Sequence, residues 1–180
     1  DVCSWVMKGQ YPVRAVGSGG RQVRTGPEYG NIYDHFSIIY EYENGVKLFS
    51  HCRQQPNCRN DISAYVLGAL GTAQISERQQ VITGPNAWVK RGGANAFYQT
   101  EHDELFASIR KGKPINNGDY MARSTLVGIM GQISCYTGKE VTWEQISASD
   151  FCYAPKPADC RDDMEPPVTP GSDGVYPVYI

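Results

Sequence analysis

The order of its secondary-structure signals constrains this chain most: strand patterns fill residues 12–90 and helix patterns fill 98–148. Strands gathered ahead of helices predict an α+β domain, an open, mostly antiparallel sheet with helices packed on one face. The helical block, residues 98–145, divides into three. Thr100, with Asp103 three residues on, is a candidate cap for the first helix, whose Leu105, Phe106 and Ile109 share one face before Gly112 and Pro114. Asp119 is a candidate cap for the second, whose apolar line of Ala122, Leu126, Ile129, Met130 and Ile133 ends at Gly138. Thr142 and Gln145 form a capping box for the third.

The strands ahead of this block are short and bounded by turn residues. In residues 35–43, Phe36, Ile38, Tyr40 and Tyr42 alternate with His35, Ser37, Ile39 and Glu41. Asn44-Gly45 is a strong hairpin signal that returns the chain into residues 46–54. Residues 62–76 read as two strands joined at Gly68–Gly71, with further edge-length strands at 80–84 and 87–90. Residues 12–17 read as a strand and 1–9 as a short helix with Asp1 at its N-cap. Between them and the central strand, residues 17–35 form a glycine-rich, polar and aromatic loop, too long for an idle connection. We expect one domain over residues 1–152 and an extended Pro-rich tail over 153–180, with its last four residues, PVYI, adding an edge strand.

Composition removes several function classes. A chain of 180 residues carrying a net charge of −2 and no basic cluster gives no case for nucleic acid. No apolar run reaches the roughly 20 residues of a membrane helix, and the first residues do not read as a signal peptide. The stretch GSGG at 17–20 lacks the G-x-G-x-x-G spacing and the strand-to-helix setting of a dinucleotide site. The six cysteines form no C-x-x-C and match no zinc spacing. Cys3 and Cys135 read as ordinary thiols on helix faces, whereas Cys52 with Cys58, or Cys152 with Cys160, would pair only in an oxidising compartment.

Three histidines are candidates for chemistry. His35 opens the central strand beside Tyr33 and Asp34, and His51 sits in the returning strand. His102 falls in the first turn of the expected helix, where the dipole would favour a neutral imidazole. Arg21, Gln22 and Arg24 in the glycine loop, with Arg53 at a strand end, are groups that recognise sugar hydroxyls or carboxylates. These residues imply a polar pocket at the loop end of a sheet without naming a reaction.

Several longer stretches carry a family resemblance: GGRQVR, EYGNIYDHF, YEYENGVKLFSHCRQ, the helical block from Glu101 to Gln145, and the closing DGVYPV. In this order they resemble the C-terminal domain of the Gfo/Idh/MocA family of NAD(P)-dependent oxidoreductases, in its bacterial, sugar-acting branch. The resemblance implies a substrate-binding and oligomerisation domain of an enzyme that moves a hydride between a sugar or cyclitol hydroxyl and NAD or NADP. It implies an N-terminal Rossmann domain as partner, and self-association through the open sheet face. Asp1 and Trp5 match the Asp and Trp of the family's H-x-x-D pattern and following helix. The matching histidine would lie three positions before Asp1, and the family's lysine and cofactor domain further upstream.

We therefore expect a piece of a longer protein that is itself inactive and holds neither cofactor nor metal. The resemblance makes Arg21, Gln22, Arg24, Tyr33, His35, Tyr98 and His102 the candidate lining of the substrate cleft. It leaves open a carbohydrate-binding module without redox activity and an NAD-dependent glycoside hydrolase. It equally leaves open a cytoplasmic or periplasmic location, since any signal would precede Asp1.

Overall fold

The computed structural model describes residues 1–29, 32–93, 96–152, 155–164 and 172. In chain order the elements are α1 (Val2–Val6), β1 (Arg14–Gly20), β2 (His35–Glu41), β3 (Lys47–Arg53), β4 (Ser63–Gly68), β5 (Gly71–Ser76), β6 (Gln80–Ile82), β7 (Trp88–Val89), α2 (Phe97–Arg110), α3 (Gly118–Thr137), β8 (Val141–Thr142) and α4 (Trp143–Ala148). Single 3-10 turns lie at Pro27–Tyr29 and Pro157–Asp159. The protein is α+β, and its strands form two antiparallel four-stranded sheets, ordered β3-β2-β1-β8 and β4-β5-β6-β7. The chain divides into two units accordingly, one built from Cys3–Asn57 with the chain from Tyr120 onward, the other from Cys58–Asp119. The strand expected at 177–180 and most of the 153–180 tail lie outside the described residues.

In the first unit, the alternation along β2 decides which face is covered. Ile38 and Tyr40 are buried, and they join Ala15 of β1, Met130, Ile133 and Cys135 of α3, Val141 of β8 and Ile146 of α4 in one core. The hairpin expected at Asn44-Gly45 forms: Gly45 takes φ +81°, and the Tyr42 N–H donates to the Val46 carbonyl at 2.9 Å. β1 runs three residues beyond its expected end, because Gly17–Gly20 pair with His35–Ile38 instead of opening the loop. Glycine is required here for close approach. A Cβ at Gly17 would stand 2.5 Å from Cys135 Sγ, and one at Gly131 of α3 would overlap the Tyr40 hydroxyl. Ser134 Oγ sits in the same seam, accepting from the Gly17 N–H at 2.8 Å and donating to the Lys139 carbonyl at 2.7 Å. A buried hydroxyl with both bonds made carries no desolvation penalty of the kind an orphan would.

Helix ends show where local signals prevailed. The Thr142–Gln145 capping box is complete in both directions, and Gly138 closes α3 at φ +67°. Asp1 holds the N-cap position of α1, but its carboxylate turns to α3, where it accepts from the Tyr120 and Ser124 hydroxyls. α3 begins at Gly118, so Asp119 lies inside its first turn. Thr100 does not cap α2: that helix starts at Phe97, and the Thr100 N–H already donates within it to the Ala96 carbonyl at 2.9 Å.

The second unit is a β4-β5-β6-β7 meander together with α2. Its first hairpin closes at the Gly68–Gly71 pair, and α2 ends at Gly112, φ +68°, as expected. None of its described residues is buried, and Leu105, Phe106 and Ile109 of α2 are all exposed.

Candidate functional site

The polar centre of the first unit is Asp34, immediately before β2. Its backbone is tied to both neighbouring strands, with its N–H donating to the Gly20 carbonyl at 2.9 Å and its carbonyl accepting from the Gln54 N–H at 2.8 Å. Its carboxylate is fully enclosed. Oδ2 accepts three backbone N–H groups, from Gln22 and Val23 at 2.8 Å and from Arg24 at 2.9 Å. Oδ1 accepts from Nδ1 of His35 at 2.7 Å. Burial pushes the Asp34 pKa up, but the bonds from Arg24, Val23, His35 and Gln22 outweigh it and hold the carboxyl well below the usual carboxylate range.

Asp34 therefore performs two tasks. It folds the loop after β1 around one oxygen, and it orients the His35 ring with the other. A carboxylate can only accept, so Nδ1 carries a proton and Nε2 is the outward nitrogen. The His35 side chain is 39 % exposed while that of Asp34 is 0 % exposed. Residue type and spacing alone did not mark Asp34 as a site residue. The available signal was a lone acid between a loop full of unpaired N–H groups and a strand start, a place that favours a side-chain acceptor.

The remaining candidates separate by face. Gly20, His35 and Arg53 are register partners, so their side chains share the open face of the sheet, away from α3. Tyr33 turns the other way. Its ring centroid lies 4.1 Å from that of Tyr136 on α3 and 5.8 Å from that of Phe36, and its N–H donates to the Tyr136 hydroxyl at 3.1 Å. Tyr33 thus packs on the helix side and does not join His35. Gln22 accepts from the Gln55 side chain at 2.9 Å, and the Arg24 guanidinium stands 6.0 Å from the Tyr29 ring centroid. Arg21 adjoins Gly20 at the start of the loop.

Tyr98 and His102 belong to α2 in the second unit. Tyr98 is 72 % exposed, and its carbonyl accepts from Nδ1 of His102 at 2.7 Å. Because α2 starts at Phe97, His102 occupies its second turn instead of its first, and the dipole argument for a neutral ring loses its basis. The second unit also holds an open groove of about 670 Å³, lined by Ile75, Ile82, Trp88 and Phe97 with Glu77 and Lys90. None of the residues expected at the site lines it.

No disulfide joins the cysteines among the described residues. Burial pushes the Cys135 thiol up to about 11, so it stays protonated and donates to the Ser18 carbonyl at 3.4 Å. Among the described residues no group of three His, Cys, Asp or Glu side chains could hold a metal ion, and no helix is long and apolar enough to cross a membrane.

No family model matches the sequence, and no curated protein matches it. Solved structures do. An aldose-aldose oxidoreductase from Caulobacter crescentus, solved with glycerol, matches at TM-score 0.60 and 19 % identity over 76 % of this chain and 42 % of its own. A protein from Thermotoga maritima assigned as an oxidoreductase matches at TM-score 0.58 and 13 % identity, over 77 % of this chain and 42 % of its own. An oxidoreductase from Agrobacterium radiobacter, solved with NAD+, L-tartaric acid and magnesium, matches at TM-score 0.56 and 14 % identity, over 81 % and 46 %. The likeness is one of fold. This chain spans less than half the length of each of these oxidoreductases.

Gly17, Gly19 and Gly20 do not form a glycine cradle of the strand-to-helix kind. The glycines at 17, 19 and 20 lie in a strand and are followed by a loop, and both sheets are antiparallel. A pyrophosphate cradle needs a glycine turn that opens a helix after a strand.

Proposed function

We propose that this chain is the substrate-binding and oligomerising domain of an oxidoreductase of the Gfo/Idh/MocA type, acting on a sugar or cyclitol hydroxyl with NAD or NADP held by another domain. One observation carries this reading: three oxidoreductases share the fold across 76–81 % of this chain while more than half of each lies outside the match. The lack of a glycine cradle supports placing the cofactor elsewhere. In the first unit we assign Arg21, Gln22, Arg24 and His35 to ligand recognition, with Tyr33 supporting the loop by packing; Tyr98 and His102 are separate candidates on α2 of the second unit.

Self-association is assigned to the open face of the β3-β2-β1-β8 sheet. Val16, Ile39 and Phe49 are register partners there and form an exposed apolar row, Phe49 at 58 %. A charged row of Arg14, Glu41 and Lys47 flanks it, with Arg14 Nη2 at 2.8 Å and Lys47 Nζ at 3.2 Å from the Glu41 carboxylate.

Calorimetry of the 180-residue chain with NAD+ and NADH is the direct test. The expected result is no micromolar binding by this chain, with NAD(P)-dependent turnover of a sugar by the full-length protein. Micromolar binding by this chain would overturn the placement of the cofactor. A full-length protein that binds sugar without turnover would be a carbohydrate-binding module. In an active full-length enzyme, His102→Ala lowers turnover roughly tenfold or more if this imidazole meets the reacting hydroxyl.

A further inference from the structure

The Gly20 end of the open sheet face combines two features that ordinary packing does not call for. The first is the Asp34–His35 pair, in which a fully enclosed carboxylate holds Nδ1 and turns Nε2 outward on a ring that is 39 % exposed. The second is Arg53, the register partner of His35 on β3, which is exposed and makes no ion pair among the described residues. The other arginine of this sheet, Arg14, pairs with Glu41 and Glu140.

Gly20, the partner of His35 on β1, leaves the floor of this corner low. A Cβ there would lie 3.5 Å from Cε1 and 3.6 Å from Nε2 of His35, so the imidazole edge faces the space that a larger residue would fill. The charged and titratable groups that hydrogen bonding, register and sequence place next to His35 are Asp34, bonded to its Nδ1, Arg53 across the ladder, His51 two residues along β3, and Arg21, which follows Gly20. His51 is already engaged with Ser37 at 3.1 Å. Arg53 and Arg21 carry two positive charges against the one negative charge of Asp34, so the balance of these groups is cationic.

We propose that this corner binds a polyhydroxy carboxylate, a sugar acid. Nε2 of His35 accepts a hydroxyl hydrogen, and the Arg53 guanidinium pairs with the carboxylate, a group it can meet with two parallel N–H bonds. Asp34 is the positioning residue, since it fixes the tautomer that makes Nε2 the acceptor. The corner is separate from the apolar row proposed for self-association: His35 lies four residues from Ile39 along β2, about 13 Å at strand spacing. The proposal rests on the oxidoreductase reading only for the polyhydroxy character of the ligand. The carboxylate preference comes from Arg53.

The test is a titration of the chain with sodium D-gluconate, and separately with uncharged D-glucitol, followed by NMR of the three imidazoles. Gluconate is expected to shift the His35 Cε1–H signal well beyond those of His51 and His102, and to bind roughly tenfold or more tighter than glucitol, as one charge-assisted pair provides. Arg53→Ala should bring the two affinities together. Gly20→Val should weaken both by covering the ring edge, without touching the Asp34–His35 bond, which keeps the test valid if His35→Phe fails to fold. Equal shifts of all three histidines, or wild-type gluconate affinity in both Gly20→Val and Arg53→Ala, would overturn the proposal. Absence of NAD(P)-dependent turnover in the full-length protein would remove the oxidoreductase reading and leave a positive gluconate result standing.

Discussion

In the first unit, Met130, Ile133 and Cys135 of α3 are buried in a shared core with Ile38 and Tyr40, whereas in the second unit Leu105, Phe106 and Ile109 of α2 stay exposed. The two helices look alike in sequence, each with an apolar line at helical spacing. Their surroundings separate them. α3 faces Gly17, which lets Cys135 settle onto the sheet, and its own Gly131 receives the Tyr40 hydroxyl. α2 buries nothing, so its stability rests on backbone bonds and short-range pairs such as Gln99 with Asp103 at 2.8 Å. An amphipathic face predicts that a partner is wanted, and does not say that the chain supplies it.

The same truncation on the two helices is the sharpest way to break this contrast. Ile133→Ala is expected to cost about 2–5 kcal/mol in urea unfolding, and Ile109→Ala, at 52 % exposure, under about 1 kcal/mol. Equal losses would mean that α2 is buried in solution as deeply as α3. Next in size, Gly131→Ala should cost about 1–3 kcal/mol because its methyl meets the Tyr40 hydroxyl. Tyr40→Phe introduced with it should recover part of that loss, since the clash is with the hydroxyl.

Asp34 supplies a pH dependence with a definite sign. Its folded pKa is depressed, so its contribution is complete above the unfolded value of about 4 and is lost as pH falls through the folded value. Thermal unfolding should therefore show the wild-type midpoint above that of Asp34→Asn near neutrality, with the gap shrinking below about pH 4. A gap that stayed constant into acid would show that the carboxylate's charge does not hold the loop. Smallest among the core-unit effects, Thr142→Ala should cost about 1 kcal/mol by opening the capping box of α4. Hydrogen exchange should rank the same way, with β1 and β2 amides protected far longer than those of α2.

Much of the fold was legible because it rests on period and punctuation. The alternation in residues 35–41, the Asn44-Gly45 turn, the glycine ends at 112 and 138 and the Thr142–Gln145 box all act over a few residues. The two-residue strand β8 was not legible, since it exists only as a ladder with Arg14 and Ala15. Nor was the start of α2, where the backbone bond from Thr100 to Ala96 displaced a plausible side-chain cap. At the site, His35 and the arginines stood out by residue type. Asp34 did not, because its role depends on three N–H groups folded back onto it from ten to twelve residues upstream.

The sequence by itself determined the class of this protein: period-2 strands followed by period-3.6 helices leave little beyond an antiparallel α+β fold. Only the tertiary structure decided that the strands divide into two sheets, that Tyr33 and His35 turn to opposite faces, and that Asp34 is the hub of the loop. Periodicity is a property of neighbouring residues and survives in the sequence. Pairing partners, register and the enclosure of a carboxylate depend on contacts between distant segments, and those exist only once the chain has closed on itself.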